Sequence, residues 1–329
     1  MSRPAILIAR AVFPEVVARL QKHFTVEDNP TDAIYPTARL IERLQGKQGA
    51  FTTGSERIGP EVLAACPQLR VVANMAVGYN NFDIAALTAR GVLATNTPDV
   101  LTETTADFGF ALMMAAARRM AESEHFLRRG EWAKWAYDMF TGSDIHGSTL
   151  GILGMGRIGQ AIARRGALGF GMQVIYHNRS RLPGPTESAL RARYVDKATL
   201  LAQADHLVLV LPYTAENHHA IGAAELSSMK PTATLTNIAR GGIVDDAALA
   251  QALRDRRIAA AGLDVFEGEP ALHPALLTVP NVVLTPHIAS ASVATRRAMA
   301  ELAADNLIAA LTGGVPPSPI NPAVLPLRT

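Results

Sequence analysis

The stretch Thr149-Leu-Gly-Ile-Leu-Gly-Met-Gly-Arg-Ile-Gly159 decides how the rest of the chain is read. Leu150 to Leu153 form an apolar run of strand length. Gly154, Gly156 and Gly159 follow with the spacing G-x-G-x-x-G. Beyond them Ile158, Ala161 and Ile162 recur at helical spacing. Strand, glycine turn and helix in this order make the phosphate-binding corner of a dinucleotide fold. The first glycine allows the tight turn, the second lets backbone approach pyrophosphate, and the third lets helix pack close to strand. Phosphate oxygens then meet free N–H groups at the positive end of the helix.

Alternation continues on both sides of this corner. Before it, strand candidates at 5–9, 49–52, 71–75 and 92–95 are separated by helical patterns at 13–23, 38–44, 60–65 and 83–90. After it, strands are expected at 173–177, 206–211, 233–237, 259–264 and 282–285. Helices are expected at 157–168, 197–204, 223–229 and 245–255. Strands alternating with helices predict parallel sheets covered by helices on both faces. Residues 102–124 read as one long helix and 126–146 as irregular. The irregular stretch carries Trp132, Trp135, Tyr137 and Phe140, unusual in a chain with 5% aromatic residues. It is either a loop folded over the sheet or an arm that packs on a partner subunit. Residues 292–312 form a last helix, and Pro316, Pro317, Pro319 and Pro322 mark an extended tail.

The 329 residues leave room for two domains. A net charge of +2 with no basic block argues against a nucleic-acid partner. No apolar run is long enough to span a bilayer, so no membrane partner is expected. Residues 1–25 lack the apolar core of a secretory signal. Cys66 is the single cysteine. That excludes an internal disulfide and favours a reducing, cytoplasmic setting. No metal site is read from the sequence.

The strand after the glycine helix ends in Asn178-Arg179-Ser180-Arg181. An NAD site places a carboxylate near this point to accept hydrogen bonds from ribose hydroxyls. Here no carboxylate would repel a 2′-phosphate, and two guanidinium groups with a hydroxyl are at hand to bind it. NADPH is therefore expected to be preferred over NADH. Three polar stations close the later strands: Arg240 in Thr236-Asn-Ile-Ala-Arg240, Asp264 to Glu269 in the next, and His287 in Thr285-Pro-His287. Ligands of open α/β sheets bind outside the carboxyl ends of strands, so the three are expected in one crevice. Reducing a 2-keto acid takes a hydride at carbon and a proton at oxygen. His287 can exchange that proton near neutral pH, Glu269 can favour the imidazolium and fix its tautomer, and Arg240 can grip carboxylate and keto oxygens.

Together these motifs resemble the D-isomer-specific 2-hydroxyacid dehydrogenases over nearly the whole chain. The resemblance rests on Val77-Gly78, the glycine loop at 154–159, Asn237-Ile-Ala-Arg240, Gly262-Leu-Asp264, Glu269-Pro270 and Thr285-Pro-His287. It implies a catalytic trio of Arg240, Glu269 and His287, with the N–H groups around Val77 and Gly78 holding the substrate carboxylate. It implies cofactor contacts at Gly154, Gly156, Arg157, Ile158, Gly159, Asn178, Arg179, Ser180, Ile238 and Asp264. The ending after the second strand looks like the NADPH-preferring branch of glyoxylate, hydroxypyruvate and 2-ketogluconate reductases. The implied architecture is two doubly wound parallel-sheet domains. A flavodoxin-like substrate domain would comprise 1–100 and a Rossmann cofactor domain 101–288, and 289–329 would return to the substrate domain. Hinges would lie near Pro98–Leu101 and Ile288–Ala291, allowing closure over substrate, and the protein would be a homodimer. Two alternatives stay open at this level. One is a reductase of larger branched or aromatic keto acids; the other is a corepressor-like sensor of NAD(P)H without turnover.

Overall fold

The computed structural model describes residues 3–325. The chain divides into two compact units. One is built from the chain up to Leu101 together with Ala291 onward; the other runs from Thr102 to Ser290.

The first unit contains β1 (Ala5–Ile8), α1 (Pro14–Gln21), β2 (Thr25–Glu27), α2 (Thr37–Leu44), β3 (Gly49–Thr52), α3 (Pro60–Ala65), β4 (Val71–Asn74), α4 (Ile84–Ala89) and β5 (Leu93–Thr95). Its five strands are parallel, in the order β2-β1-β3-β4-β5, which is the flavodoxin-type order. β3 and β4 are buried along their whole length, because helices cover both faces. The C-terminal helix belongs to this unit. It places Ala300, Ala303, Ala304 and Leu307 against Ile6, Phe51 and Val71. The proline-rich tail covers the open edge of β5: the Ile320 N–H donates to the Ala94 carbonyl, and Asn321 Oδ1 accepts from the Ala94 N–H.

The second unit contains α5 (Thr102–Ala117), α6 (Met120–Arg128), β6 (Thr149–Leu153), α7 (Arg157–Arg164), β7 (Gln173–His177), α8 (Gly184–Leu190), β8 (Ala192–Tyr194), α9 (Lys197–Gln203), β9 (His206–Leu209), α10 (Ala223–Ser228), β10 (Thr234–Asn237), α11 (Asp246–Arg254), β11 (Ala260–Leu263) and β12 (Val282–Leu284). The C-terminal helix of the first unit is α12 (Val293–Thr312). Seven parallel strands run in the order β12-β11-β10-β9-β6-β7-β8. Counted from β6 this is 7-6-5-4-1-2-3, the dinucleotide-binding order extended by one strand. The order reverses between β6 and β9, at the glycine loop. α5 packs closely because the sheet offers no side chain beneath it: a Cβ on Gly262 would come within 2.8 Å of the Leu112 side chain.

Three short elements, β2, α8 and β8, are not among those expected from the sequence. The single helix expected over 102–124 is two helices. Arg119 adopts left-handed backbone, φ 52°, between α5 and α6. The cause is tertiary. Ala117 C=O accepts from the Ser143 N–H, and Gly142 packs so tightly on that carbonyl that a Cβ would lie 2.2 Å from it. The Arg119 side chain is held by Glu122 and lies over the Phe140 ring. The irregular stretch begins only after Arg128. In it, Trp132, Trp135 and Tyr137 are 56%, 75% and 84% exposed, so they do not fold over the sheet of this chain. Among the described residues no helix is long and apolar enough to cross a membrane.

Candidate active site and cofactor loop

The three glycines of the loop after β6 are needed for three different reasons. Gly154 has φ +102°, and a Cβ there would meet the Leu211 backbone nitrogen at 2.7 Å. Only glycine combines that conformation with that approach to the end of β9. A Cβ on Gly159 would sit 2.4 Å from the Gly154 carbonyl oxygen, so helix and turn can touch. Nothing lies within 4 Å of a Cβ built at Gly156, which is exposed at the N-cap of α7. The second glycine therefore faces open space, as a loop that admits a pyrophosphate requires. Arg157 and Ile158 follow in the first turn of α7, and Ile238 is buried at the end of β10, where it packs against Gly109.

Asn178 faces the same loop. Its Oδ1 accepts from the Met155 N–H at 2.6 Å, which ties the end of β7 to the glycine turn. Arg179 and Ser180 are exposed. Arg181, expected to be a second phosphate-binding guanidinium, is engaged elsewhere. Its Nε and Nη2 donate to Glu187 at 2.9 and 2.7 Å. Glu187 is buried and also accepts from the Tyr176 hydroxyl at 2.6 Å. The Tyr176 oxygen in turn accepts from the Leu182 N–H at 2.8 Å. The hydrogen bonds from Arg181 and Tyr176 hold the Glu187 carboxyl below its usual range, and burial with the Glu187 contact pushes Tyr176 up to about 12. Tyr176 thus stays a neutral donor, and the Asn178–Leu182 turn is shaped from beneath. Sequence reading missed this anchor because Tyr176 looks like any core residue of a strand.

At the far side of the sheet, β11 and β12 bring the acid–base pair together. His287 Nδ1 donates to Glu269 Oε2 at 2.8 Å. Glu269 Oε1 accepts from the Phe266 N–H at 2.9 Å, so the carboxylate is held from two directions. Burial alone would raise the Glu269 pKa. The His287 hydrogen bond, the Phe266 N–H and the positive charges of His287 and Arg240 outweigh it and keep the carboxyl below its ordinary value. An ionised Glu269 can only accept, which places the Nδ1 proton on His287 and turns Nε2 outward. Both side chains are partly exposed, at 47% and 33%. Arg240 Nη1 donates to the Ala239 carbonyl at 2.7 Å. Burial opposes its charge and Glu269 favours it; a guanidinium stays protonated under either influence.

Asp264 is fully buried at the end of β11. Its Oδ1 accepts from Thr285 Oγ1 and the Ile288 N–H, both at 2.8 Å, and Oδ2 accepts from the Ala289 N–H at 2.8 Å. Its carbonyl accepts from the His287 N–H. This carboxylate therefore builds the turn on which His287 sits, with left-handed backbone at φ 54°.

Val77 and Gly78 lie in the first unit, on the loop after β4. Asn96 Nδ2 donates to the Val77 carbonyl at 2.8 Å, and Asn74 Nδ2 donates to the Gly78 carbonyl at 3.0 Å. With both carbonyls fixed, neither N–H donates to a protein acceptor among the described residues. Two pinned donors of this kind suit an anion.

Comparison with known proteins places these features in a family. The profile of the D-isomer specific 2-hydroxyacid dehydrogenase, NAD binding domain, matches residues 110–289. The glyoxylate reductase of Thermococcus onnurineus is 48% identical, over 99% of this chain and 98% of the relative. That of Aeropyrum pernix is 46% identical, over 100% and 99%. Among solved structures, the NADPH-dependent glyoxylate/hydroxypyruvate reductase of Sinorhizobium meliloti, in complex with NADP and malonate, is 38% identical. The match has a TM-score of 0.86 and covers 100% of this chain and 99% of that one. The chain belongs to the D-isomer-specific 2-hydroxyacid dehydrogenase family, in its glyoxylate/hydroxypyruvate reductase branch, and is an oxidoreductase that uses a nicotinamide cofactor to reduce a small 2-keto acid.

Proposed function

We propose that the protein reduces glyoxylate or hydroxypyruvate, or a sugar acid of the 2-ketogluconate class, to the D-2-hydroxy acid, and prefers NADPH to NADH. The observation that carries the reading is the His287–Glu269 contact, beside Arg240 at the carboxyl ends of the strands. When bound, the reduced nicotinamide supplies the hydride that the keto carbon accepts. His287 does the remaining chemistry as an imidazolium, giving its Nε2 proton to the keto oxygen as that oxygen becomes negative. Glu269 keeps Nδ1 protonated and compensates the imidazolium charge. Arg240 aligns the carboxylate and keto oxygens through its planar fork, and the N–H groups of Val77 and Gly78 are the anion-binding donors of the first unit. Asp264 positions the turn that carries His287.

The cofactor preference rests on Arg179 and Ser180. Both are exposed beside Asn178, where a ribose-binding acid is missing. Residues 1–100 serve as the substrate domain in this reading. The protein acts as a homodimer, with the exposed Trp132–Phe140 arm on the partner subunit. A panel of keto acids with NADPH and NADH, compared by kcat/KM, tests the whole reading. Highest values for glyoxylate or hydroxypyruvate with NADPH support it. Turnover confined to branched or aromatic keto acids, or higher kcat/KM with NADH, overturns it.

A further inference from the structure

The loop after β9 holds a feature that the reduction does not use. His218 and His219 are adjacent, and their rings stack with centroids 3.9 Å apart and planes 22° apart. Both Nε2 atoms face one carboxylate. His219 Nε2 is 2.8 Å from Glu267 Oε2, and His218 Nε2 is 3.9 Å from Glu267 Oε1. Neighbouring residues of a chain rarely aim their side chains the same way. Here the backbone is turned to do so, with His219 left-handed at φ 49° and its N–H donating to the Gly242 carbonyl at 2.7 Å.

The other ring nitrogens also face oxygen. Tyr213 Oη lies 3.2 Å from His218 Nδ1, and Asp245 Oδ2 lies 3.9 Å from His219 Nδ1. Imidazoles that bind metal through one nitrogen commonly give the other to such an outer acceptor, which fixes ring and tautomer. Glu267 is fixed as well: its N–H donates to Asp246 Oδ2 at 3.1 Å, and Gly241 packs on the Phe266 carbonyl with no room for a Cβ.

We propose that His218, His219 and Glu267 form a surface site for a divalent transition-metal ion of the zinc class. The three ligand atoms lie within 4.8 Å of one another. Tetrahedral coordination at roughly 2.0–2.1 Å puts ligand atoms about 3.4 Å apart. The distances of 2.8 and 3.9 Å run to the two different oxygens of Glu267 and lie on either side of that value, and the partly exposed side chains can bring one oxygen to it from both rings. Two imidazoles with one carboxylate favour zinc, nickel or copper over magnesium or calcium. Water completes the shell. An ion there clamps the 212–219 loop to the segment that leads into Glu269.

The test is a titration of the untagged full-length protein, after chelator treatment, with Zn²⁺ against a chromophoric competitor, and with Co²⁺ followed by its visible absorption. One equivalent is expected to bind, with a tetrahedral or five-coordinate Co²⁺ spectrum. His218→Ala, His219→Ala and Glu267→Gln should each weaken binding at least ~10-fold, and Tyr213→Phe more modestly. His287→Ala separates this site from the catalytic pair, and should leave the stoichiometry and the Co²⁺ spectrum in place. If one of the three ligand variants misfolds by circular dichroism, the other two decide. Wild-type affinity in the folded ligand variants, or loss of binding in His287→Ala, overturns the proposal, whichever keto acid the enzyme reduces.

Discussion

His287 and Glu269 stand 18 residues apart in the chain and 2.8 Å apart in space, with the histidine Nδ1–H pointing at the carboxylate. That single contact sets which nitrogen faces the substrate and which charge state is supported during reduction. Replacing His287 with alanine should lower kcat roughly 10²–10⁴-fold, the usual scale of general acid–base catalysis, with cofactor affinity nearly unchanged. Fluorescence titration with NADPH alongside steady-state rates separates the two quantities. A loss confined to KM would show that His287 only binds.

Glu269→Gln keeps the shape and removes the charge. A glutamine amide can donate as well as accept, so it no longer fixes the Nδ1 proton on His287, and kcat should fall. The rate is to be measured with saturating NADPH. A kcat that stays at the wild-type value assigns the orientation of His287 to another group.

Arg179 and Arg181 are separated by one residue and should behave differently. Arg179→Ala is expected to weaken NADPH roughly 10- to 150-fold, with little change for NADH, since a charged hydrogen bond to a 2′-phosphate is worth about 1.5–3 kcal/mol. Arg181 is committed to Glu187, so Arg181→Ala should loosen the turn and weaken both cofactors by a smaller factor. Isothermal titration with each cofactor reads the ratio directly. Equal losses in Arg179→Ala would remove it from the phosphate site.

Asp264→Ala removes the buried carboxylate that accepts from the Ile288 and Ala289 N–H groups, in a turn whose Ala289 is buried and whose His287 and Ile288 are exposed. Leaving a buried donor unpaired costs about 1–3 kcal/mol. Both the melting temperature and kcat should fall, because the turn also carries His287. Asp264→Asn, which keeps one acceptor oxygen, should recover part of each. A variant with normal stability and abolished turnover would instead give Asp264 a direct part in the reaction.

His206 sets a pH dependence of stability that is separate from the chemistry. It is buried, with Nε2 donating to the Asp144 carbonyl at 3.0 Å and Nδ1 accepting from Thr234 Oγ1 at 2.9 Å. Burial holds its pKa below the ordinary value; the Asp144 carbonyl and the Asp205 charge oppose this, and Lys230 adds to it. The unfolded chain therefore binds a proton at a higher pH than the folded one. Stability is fully present above the unfolded value, near 6.5, and is lost as pH falls below it toward the folded value. Melting curves between about pH 8 and 5 should fall on the acid side, and His206→Gln should fall less steeply. Parallel curves would mean that other groups dominate.

The exposed arm bears on assembly. Trp135 and Tyr137 leave large apolar surface uncovered in one chain, as expected of a subunit interface. Light scattering at micromolar concentration should report a dimer, and Trp135→Glu should shift it toward monomer. A wild-type monomer at all accessible concentrations removes this assignment.

Much of the fold is a local property of the sequence. Apolar runs of strand length alternating with helical periods place β6, α7 and most other elements within a few residues, because burial of a strand or a helix face is written in neighbouring residues. The glycine spacing at 154–159 is equally legible, although only the Gly159 contact with the Gly154 carbonyl is local; Gly154 answers the backbone of Leu211, at the end of β9. What the tertiary structure decided involves partners far apart in the chain. The helix expected over 102–124 breaks at Arg119 because Ser143 and Gly142 take the Ala117 carbonyl. Arg181 leaves the phosphate region because a carboxylate on α8 captures it, and α8 carries no strong period of its own. The pairing of His219 with Glu267, 48 residues away, depends on how the loops after β9 and β11 meet across the end of β10. Periodicity records which face of an element is buried; it carries no information on which side chains meet once the loops close over the ends of the strands.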